Sequence, residues 1–458
     1  MSDEAATARV LDPEELLDVA CALRDRARPD EQVEVVLAQG SGTTVKVFGG
    51  GVESLTVAGA SGAGIRIVRD GRQGFAHCGS LDADVLDDTL AEARDNATFA
   101  EPDEWNGLAV PDGVEPLAVD RWSEAVVGMS TDRKVELALE LERRVTSSDP
   151  RVASARTTSF GDGWAVQALA STTGIEVADR GASCSAATQP LARDGDETQI
   201  GWAFDAGRDP ELLDWDRVVS DAIERATRML GATKPGSSRR TILLDPRMAA
   251  TLLGVVSVML CGDQVVKGRS PFEGRLGEQV ASPLLTLGDD PTRTESLAAD
   301  SHDGEGLACR PNPLIVDGVL NRFLHDSYSG RRSGTASTGS AVRGTRSTPG
   351  VGAQLLVIEP GRRSFDELVS SIDHGLWVTS FSGLHSGVNP TSGDFSVGAE
   401  GILIEGGALS GPVREVTVAS TIQRLLLDVS EVGGDLEWLP GGDGSCSLVI
   451  DDVSVAGT

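Results

Sequence analysis

The amino-acid sequence lacks long apolar runs: no window of its 458 residues approaches the roughly 18 uninterrupted apolar residues of a membrane-spanning helix. It also lacks the basic and then apolar start of a secretory signal peptide, because residues 1–4 read MSDE. We therefore expect a cytoplasmic protein without membrane association. Its 40% hydrophobic and 24% charged residues are typical of soluble globular proteins, and they exclude a collagen, a coiled coil or a wholly disordered chain.

Basic side chains are scarce relative to acidic ones, with 40 Lys and Arg against 70 Asp and Glu and a net charge of −30. The negative electrostatic field of such a chain repels the phosphate backbone of DNA or RNA, so nucleic-acid binding is not expected. The tight basic pairs lie near acidic or turn residues and are interpreted as solvated surface. Three of these pairs are Arg239-Arg240, Arg331-Arg332 and Arg362-Arg363.

Several motifs of catalysis and nucleotide binding are also absent. The six cysteines form no CxxC pair, which argues against a zinc ribbon and against a disulfide framework. No GxxxxGK[ST] loop and no GxSxG elbow occur, so ATP binding and serine catalysis are disfavoured. Gly59, Gly62 and Gly64 lie between strand-like segments and do not precede a helix, so they predict hairpin turns and not a dinucleotide loop.

The five histidines never pair at helical spacing, and HExxH is absent. One acidic loop contains Asp300, His302, Asp303 and Glu305. Because the order of these residues does not match an EF-hand, we predict a solvated turn there in preference to a metal site. His374 ends a predicted helix over 365–374, where it is expected to interact with the terminal carbonyl groups.

The chain is too long for one compact core, and its pattern predicts an α+β protein. We expect two N-terminal lobes of antiparallel sheet and helices, residues 1–110 and 111–236, and a mostly β, barrel- or sandwich-like domain over 237–458. Short strands at 33–38, 43–48, 53–58 and 64–69 lie too close together for parallel crossovers. In the C-terminal domain an apolar helix is predicted at 248–260, and further helices at 365–374 and 421–432.

The C-terminal half carries a resemblance. Residues 387–399 read GVNPTSGDFSVGA, GILIEGG follows at 401–407, and VGGDL stands at 432–436. Together with DGRQGFA at 70–76 and the tail from residue 444, these segments resemble the TldD/PmbA peptidase family from about residue 15 onward. The resemblance implies a fold and a function class that the spacing of residues alone does not give.

The resemblance also indicates a branch of that family. In the TldD branch, a helix carries HExxxH, whose histidines bind zinc while the glutamate activates water, and a C-terminal cysteine completes the site. This sequence has Gly254, Val255 and Met259 at the matching positions, and Cys446 at the cysteine. Gly and Val have no lone pair to donate, and a Met thioether is a poor partner for Zn²⁺. The resemblance thus implies the PmbA/TldE branch, with no catalytic residue and no metal in this chain, and Cys446 as a packing residue at a vestigial ligand position.

A member of that branch is expected to be inactive alone and to form a heterodimer with a TldD-like catalytic subunit, which holds the zinc. The pair would enclose a cavity that admits unfolded or unstructured peptides. We expect the polar, glycine-dense segments 387–398 and 333–350 to face that cavity or the partner. The candidate residues are Asn389, Ser392, Gly393, Asp394 and Phe395.

Three other interpretations remain open. The glycines of these segments could serve turns and bulges only. The chain could be a homodimeric regulatory or peptide-binding protein, in line with the family's older label of modulator of DNA gyrase. It could also be a hydrolase with an unusual site, built from Cys446 with His374 or His385.

Overall fold

A computed structural model describes residues 9–457, so the N-terminal residues used above to argue against a signal peptide lie outside the described range. The helices are α1 (Pro13–Arg24), α2 (Ala83–Phe99), α3 (Glu124–Val127), α4 (Thr131–Ser148), α5 (Trp215–Thr227), α6 (Pro246–Met259), α7 (Gly262–Val266), α8 (Ser327–Ser333), α9 (Phe365–Ser371), α10 (Leu384–Gly387) and α11 (Ile422–Leu427). No helix in this range combines the length and apolarity needed to cross a membrane.

The strands of the N-terminal half are β1 (Gln32–Phe48), β2 (Gly51–Arg69), β3 (Arg72–Cys78), β4 (Val152–Ser171), β5 (Glu176–Asp194), β6 (Glu197–Ile200) and β7 (Ala203–Gly207). Those of the C-terminal half are β8 (Ser238–Leu244), β9 (Leu287–Asp289), β10 (Asn312–Val316), β11 (Val319–Leu320), β12 (Ala341–Val342), β13 (Gly350–Val351), β14 (Leu356–Ile358), β15 (His374–Ser382), β16 (Asp394–Glu405), β17 (Ala408–Thr421), β18 (Val429–Val432), β19 (Glu437–Trp438), β20 (Gly444–Ser445) and β21 (Leu448–Ala456).

The N-terminal half forms one antiparallel sheet in the order β3-β2-β1-β4-β5-β6, with β7 also paired to β5. The four short strands predicted between 33 and 69 are in fact two long ones, and the prediction of hairpin turns at Gly59, Gly62 and Gly64 is wrong. These glycines lie inside β2 and pair with Ser41, Ala38 and Val36 of β1. A close contact explains Gly64: a Cβ there would overlap the carbonyl oxygen of Thr345, in a C-terminal loop packed on the strand.

The helices of the N-terminal half cover one face of this sheet. Alternate residues of β1, such as Val35 and Leu37, form a core with α1 and α2, while Val45 and Val47 pack with α4 and α5. The opposite face meets the C-terminal half through a smaller apolar cluster that contains Val36 and Leu307 among its members. The sheet therefore has a helix-covered face and a face turned toward the C-terminal domain.

The C-terminal domain is built around a closed barrel. Its sheet runs β17-β16-β15-β8-β21-β18, and β17 also pairs with β21, so five of these strands form a ring. The α+β expectation with a mostly β, barrel-like C-terminal domain is therefore confirmed. The helix expected at 421–432 is wrong in its last third, because α11 ends at Leu427 and β18 pairs with β21. His374 is likewise not at a helix end: α9 stops at Ser371 and His374 opens β15.

Candidate functional site

Helix α6 holds the three positions at which the resemblance implied lost zinc ligands. The helix begins after Asp245, whose side chain accepts a hydrogen bond from the Met248 amide at 2.9 Å, and its apolar face packs into the C-terminal core. Met259 is fully buried in that core and Val255 is half-buried against it. A Cβ at Gly254 would meet no other atom of the described residues, 9–457, within 4 Å. Position 254 is therefore open, and position 259 is committed to packing.

This donor set does not fit a zinc ion. Gly254 and Val255 offer no side-chain donor, and the Met259 thioether is enclosed by apolar neighbours. Helix α6 packs against β20, the strand that leads into Cys446, so the cysteine belongs to the same core as Met259. Within residues 9–457, no group of three or more His, Cys, Asp or Glu side chains is placed to hold a metal.

Cys446 is fully buried, and its Sγ lies 4.0 Å from the carbonyl oxygen of Ile358. Burial, reinforced by the negative charges of Asp435 and Glu359, raises the pKa of this thiol to about 12. The thiolate is the nucleophilic and metal-binding form, and it is scarce at neutral pH with such a pKa. His374 and His385 are both exposed, and His374 lies 3.8 Å from Glu405. The structure thus places the thiol in the core and both histidines on the surface.

The loop before β16 contains most of the predicted cavity or interface residues. Asn389 Oδ1 accepts hydrogen bonds from the amides of Thr391 (2.9 Å) and Ser392 (3.3 Å), and the Ser392 hydroxyl donates to Asp394 at 2.7 Å. Gly393 adopts a φ of 83°, a left-handed conformation that favours glycine. Asn389, Ser392 and Asp394 are exposed while these bonds hold the loop in shape.

Phe395, the remaining candidate, is buried and packs edge-on against Phe381 with ring centroids 5.8 Å apart. The second predicted segment, 333–350, lies between the two halves of the molecule. The hydroxyls of Ser337 and Thr338 donate to the carbonyl oxygen of His325, each at 3.1 Å. Further along, Thr345 contacts β2 at Gly64. This segment therefore joins the C-terminal domain to the N-terminal sheet.

A buried charge cluster at that junction was missed by the sequence analysis. Arg66 of β2 holds the Glu34 carboxylate of β1 through Nε (3.0 Å) and Nη2 (2.8 Å), and Arg343 from the C-terminal loop donates to the same carboxylate. Glu305 completes the cluster at 3.6 Å from Arg66. Although burial opposes ionisation, the Arg66 and Arg343 guanidinium groups lower the pKa of Glu34. Burial raises the pKa of Glu305.

The sequence pattern does indicate two of the four residues of this cluster, Glu34 and Arg66. Glu34 and Arg66 are charges of opposite sign, each flanked by apolar residues in a strand, and they stand directly opposite one another in the β1–β2 register. Arg343 lies in a polar loop and has no comparable signal, because its position depends on the packing of the two domains.

The acidic loop at 300–305 is not the solvated turn that its composition predicted. Asp303 is 7% exposed and Glu305 1%. Asp303 accepts hydrogen bonds from the amides of Glu305 (2.9 Å), Leu307 (3.0 Å) and Ala341 (3.0 Å), so it organises the loop from inside. Burial raises the pKa of Asp303 to about 7. The nearby His302 is half-buried, and burial lowers its pKa.

One of the arginine pairs was also misassigned to the solvated surface. Arg331 donates to the carbonyl oxygens of Trp105 (2.8 Å), Gly107 (2.8 Å) and Leu108 (3.3 Å), all in the segment that follows the first N-terminal helices. It therefore connects α8 of the C-terminal domain to the N-terminal half. Arg239 fits the prediction, since it is exposed and pairs with Asp452.

Comparison with known families assigns three consecutive segments that make up most of the chain. Family models of the PmbA/TldA metallopeptidases match residues 33–97 as domain 1, 126–230 as the central domain and 237–457 as the C-terminal domain. The chain belongs to the PmbA/TldD metallopeptidase family. It is 26% identical to the metalloprotease PmbA of Escherichia coli O157:H7, over 92% of this chain and 91% of that protein. It is 27% identical to a TldD homologue of Haemophilus influenzae, over 87% of each chain.

Solved structures of the PmbA/TldD family share the fold. TldE from Thermococcus kodakarensis superposes with a TM-score of 0.83 at 24% identity, covering 97% of this chain and 99% of that one. A Thermotoga maritima protein that carries the gyrase-modulator name superposes with a TM-score of 0.87 at 24% identity, covering 97% and 100% of the two chains. At these identities the structures establish the fold alone.

Proposed function

We propose that this chain is a non-catalytic, TldE-like subunit that pairs with a TldD-like catalytic subunit and forms part of a peptide-binding cavity. The observation that carries the proposal is the composition of α6 and its surroundings. Gly254 and Val255 provide no donor, Met259 is packed in the core, and the Cys446 thiol is buried with a pKa near 12. A hydrolytic zinc needs three protein ligands and a polarised water, which these side chains do not supply.

An open strand edge supports the peptide-binding part of this proposal. Strand β3 pairs with β2 only from Ala63 onward, and no strand within residues 9–457 pairs with the outer edge of residues 51–62. Val52, Leu55 and Val57 are exposed on this segment. An unpaired edge with apolar side chains is a template for adding an extended chain, from a substrate or from a partner subunit.

The proposal is tested by co-expression with a family paralogue that retains HExxxH. We expect a one-to-one complex in size-exclusion chromatography with light scattering, one zinc per complex, and peptidase activity that a chelator abolishes. The isolated chain should contain no stoichiometric zinc and cleave no unstructured peptide. Cys446→Ala in this chain should leave the zinc content of the complex unchanged.

Two results would overturn the proposal. Stoichiometric zinc with peptide cleavage by the isolated chain would indicate an active enzyme. A stable self-dimer that does not bind the paralogue would favour the homodimeric regulatory interpretation.

The role of the loop before β16 is tested separately in the same complex. Asn389→Ala removes the acceptor of two amide hydrogen bonds, whereas Asn389→Asp retains it and serves as the matched control. If this loop faces the cavity or the partner, Asn389→Ala and Asp394→Asn should weaken assembly or cleavage while Asn389→Asp does not. Unchanged assembly and unchanged cleavage in all three variants would leave the loop without a functional role.

A further inference from the structure

The face of the N-terminal sheet that lies away from its helices carries a trough with a floor of small residues. Register places Ala60, Gly40, Ala165 and Gly181 directly opposite one another on four adjacent strands, and Ala58 and Gly163 lie in the next row on the same face. The volume above them is about 510 Å³. We call this the sheet trough. Its floor has no bulky side chains, so a polypeptide backbone can approach the sheet closely.

The sheet trough adjoins a smaller space between the two halves of the molecule. This interdomain cavity measures about 180 Å³ and shares Arg121, Gln167 and Asp179 with the trough. Val36 and Leu169, which belong to the apolar domain contact, line its inner end. The C-terminal domain contributes the loop segments 302–304 and 343–345. An extended chain in the trough would therefore end beside this interdomain cavity.

Arg343 is one of the residues that line the interdomain cavity, and two of its N–H donors are buried and unpaired. Its side chain is 2% exposed, and Nη1 donates to Glu34, whereas Nε and Nη2 have no hydrogen-bond partner among residues 9–457. A buried, unpaired guanidinium edge is costly unless it is bound to an acceptor. Arg66 in the same cluster uses the equivalent edge, Nε with Nη2, to hold the Glu34 carboxylate. The Arg66–Glu34 pair therefore shows a carboxylate bound by the same two guanidinium nitrogens, Nε and Nη2, that are unpaired in Arg343.

The other charged groups around the cavity are already engaged. Asp179 and Asp300 both pair with Arg121, and Asp303 accepts three backbone amides. Burial disfavours the charged form of His302 by lowering its pKa. The carboxylates that line the cavity thus have donors of their own. Among the cavity-lining residues that the structure describes, the unpaired N–H donors are Nε and Nη2 of Arg343 and the single Nε of Arg121, so only Arg343 offers two neighbouring donors on one guanidinium edge. That edge calls for an anionic acceptor.

We propose that the interdomain cavity binds one carboxylate of a peptide whose backbone lies in the sheet trough, with Arg343 Nε and Nη2 as the donors. The proposal deepens the peptide-binding part of the proposed function and rests on it. The carboxylate comes from the C-terminus of the peptide or from an Asp or Glu side chain. A planar monoanion matches the two parallel N–H groups of one guanidinium edge. A phosphate dianion would add a second charge beside Asp300 and Asp303, for which no free cation remains among the cavity-lining residues.

The test measures peptide binding to the isolated full-length chain, without partner or metal, by fluorescence anisotropy. Three labelled peptides share one neutral sequence. The first has a free C-terminus, the second is amidated, and the third is amidated but carries one Glu. We expect at least one of the two carboxylate-bearing peptides to bind at least tenfold more tightly than the neutral amidated peptide. Comparing the peptide with the free C-terminus and the peptide with Glu identifies which carboxylate is recognised.

Two pairs of variants separate binding from folding. Arg343→Lys keeps a charge beside Glu34 but removes the paired donor edge, and Arg346→Lys, an exposed arginine in the same loop, is its control. Ala38, which lines the cavity, allows a second test that leaves Arg343 intact. Ala38→Glu places a competing carboxylate in the cavity, while Ala38→Gln fills the same volume without charge.

We expect Arg343→Lys and Ala38→Glu to reduce carboxylate-dependent binding at least tenfold while the affinity for the neutral amide is retained, and Ala38→Gln to preserve more of the preference than Ala38→Glu. Equal affinity for the three peptides, or a carboxylate preference that survives both variants, would overturn the inference. Because this readout needs no partner, failure here is distinguishable from failure of complex formation or peptidase activity.

Discussion

At the scale of single residues, the environment of Cys446 determines its reactivity. The thiol is fully buried with a pKa raised to about 12, whereas Cys78 is only half-buried. We predict that iodoacetamide at pH 8 modifies Cys78 in the native protein and spares Cys446 until the protein is unfolded. Mass spectrometry of timed aliquots, with a denatured sample as reference, measures both sites. Native modification of Cys446 at the rate of Cys78 would contradict the packing role given to it here.

Asp289 gives a pH-dependent prediction. Its Oδ1 accepts hydrogen bonds from the amides of Gln354 and Leu355, each at 2.8 Å, but its Oδ2 is buried and has no partner in the part of the chain that the structure describes. Burial raises the pKa of Asp289 to about 7 in the folded protein, above the value of 3.8 for an ordinary Asp. The folded state therefore binds this proton more tightly than the unfolded state. The resulting stabilisation is present below pH 3.8 and is lost as the pH rises through about 7.

We predict that Asp289→Asn is more stable than the wild type at pH 8 and similar to it at pH 4. The amide oxygen retains both backbone bonds, and no charge has to be buried. The gap at pH 8 should be on the order of 2–4 kcal/mol, seen as a melting temperature several degrees higher. Thermal melts of both proteins across this pH range measure it. If the difference in stability between the two proteins were the same at every pH, Asp289 would not titrate between pH 4 and pH 8.

Residue identities at the candidate site were readable from the sequence, but their environments were not. The loss of ligands at Gly254, Val255 and Met259 follows from a motif. The burial of Asp303 and Glu305 does not, because three charged residues within six positions look like surface until a second domain covers them. Arg343 is the extreme case, since its partner Glu34 lies 309 positions away in the sequence.

At the scale of elements, helix α6 contains one position with free space beside it, Gly254, and one position that is packed in the core, Met259. Gly254 lies within the helix, and a Cβ there would meet no described residue within 4 Å. We predict that Gly254→Ala stabilises the protein by about 0.5–1 kcal/mol through helix propensity. Met259→Ala should instead cost about 2–5 kcal/mol through a cavity in the core. Denaturant titration compares them, and a destabilised Gly254→Ala would mean that the open side of the helix is occupied.

The apolar helix predicted at 248–260 is observed as α6, Pro246–Met259. Capping residues fix such helix starts: Asp12 and Glu15 form a capping box at the start of α1, and Pro13 lies in its first turn. The long strands were predicted in pieces, because glycines that normally mark turns serve here as close contacts within β1 and β2. The glycine at position 64, for example, is required because the loop that contains Thr345 packs against it. Such a contact depends on the tertiary structure, so the local sequence does not predict it.

At the scale of the whole molecule, the buried charge cluster ties the two halves together. Glu34→Gln would leave Arg66 and Arg343 without their shared carboxylate. We predict a loss of about 3–5 kcal/mol, because breaking a buried ion pair leaves charge uncompensated. Glu53→Gln, an exposed change on the neighbouring strand, is the control and should be nearly neutral. Thermal melts with limited proteolysis measure the effect, and equal stability of the two variants would contradict it.

The ring of strands in the C-terminal domain has a consequence for how the protein is made. Strand β21 closes that ring by pairing with both β8 and β17, although β8 is synthesised about 200 residues earlier in the chain. During synthesis, the edges of β8 and β17 that pair with β21 are therefore expected to remain unpaired until residues 448–456 have emerged from the ribosome. Nascent chains halted before that point should depend on chaperones, and those released after it should not.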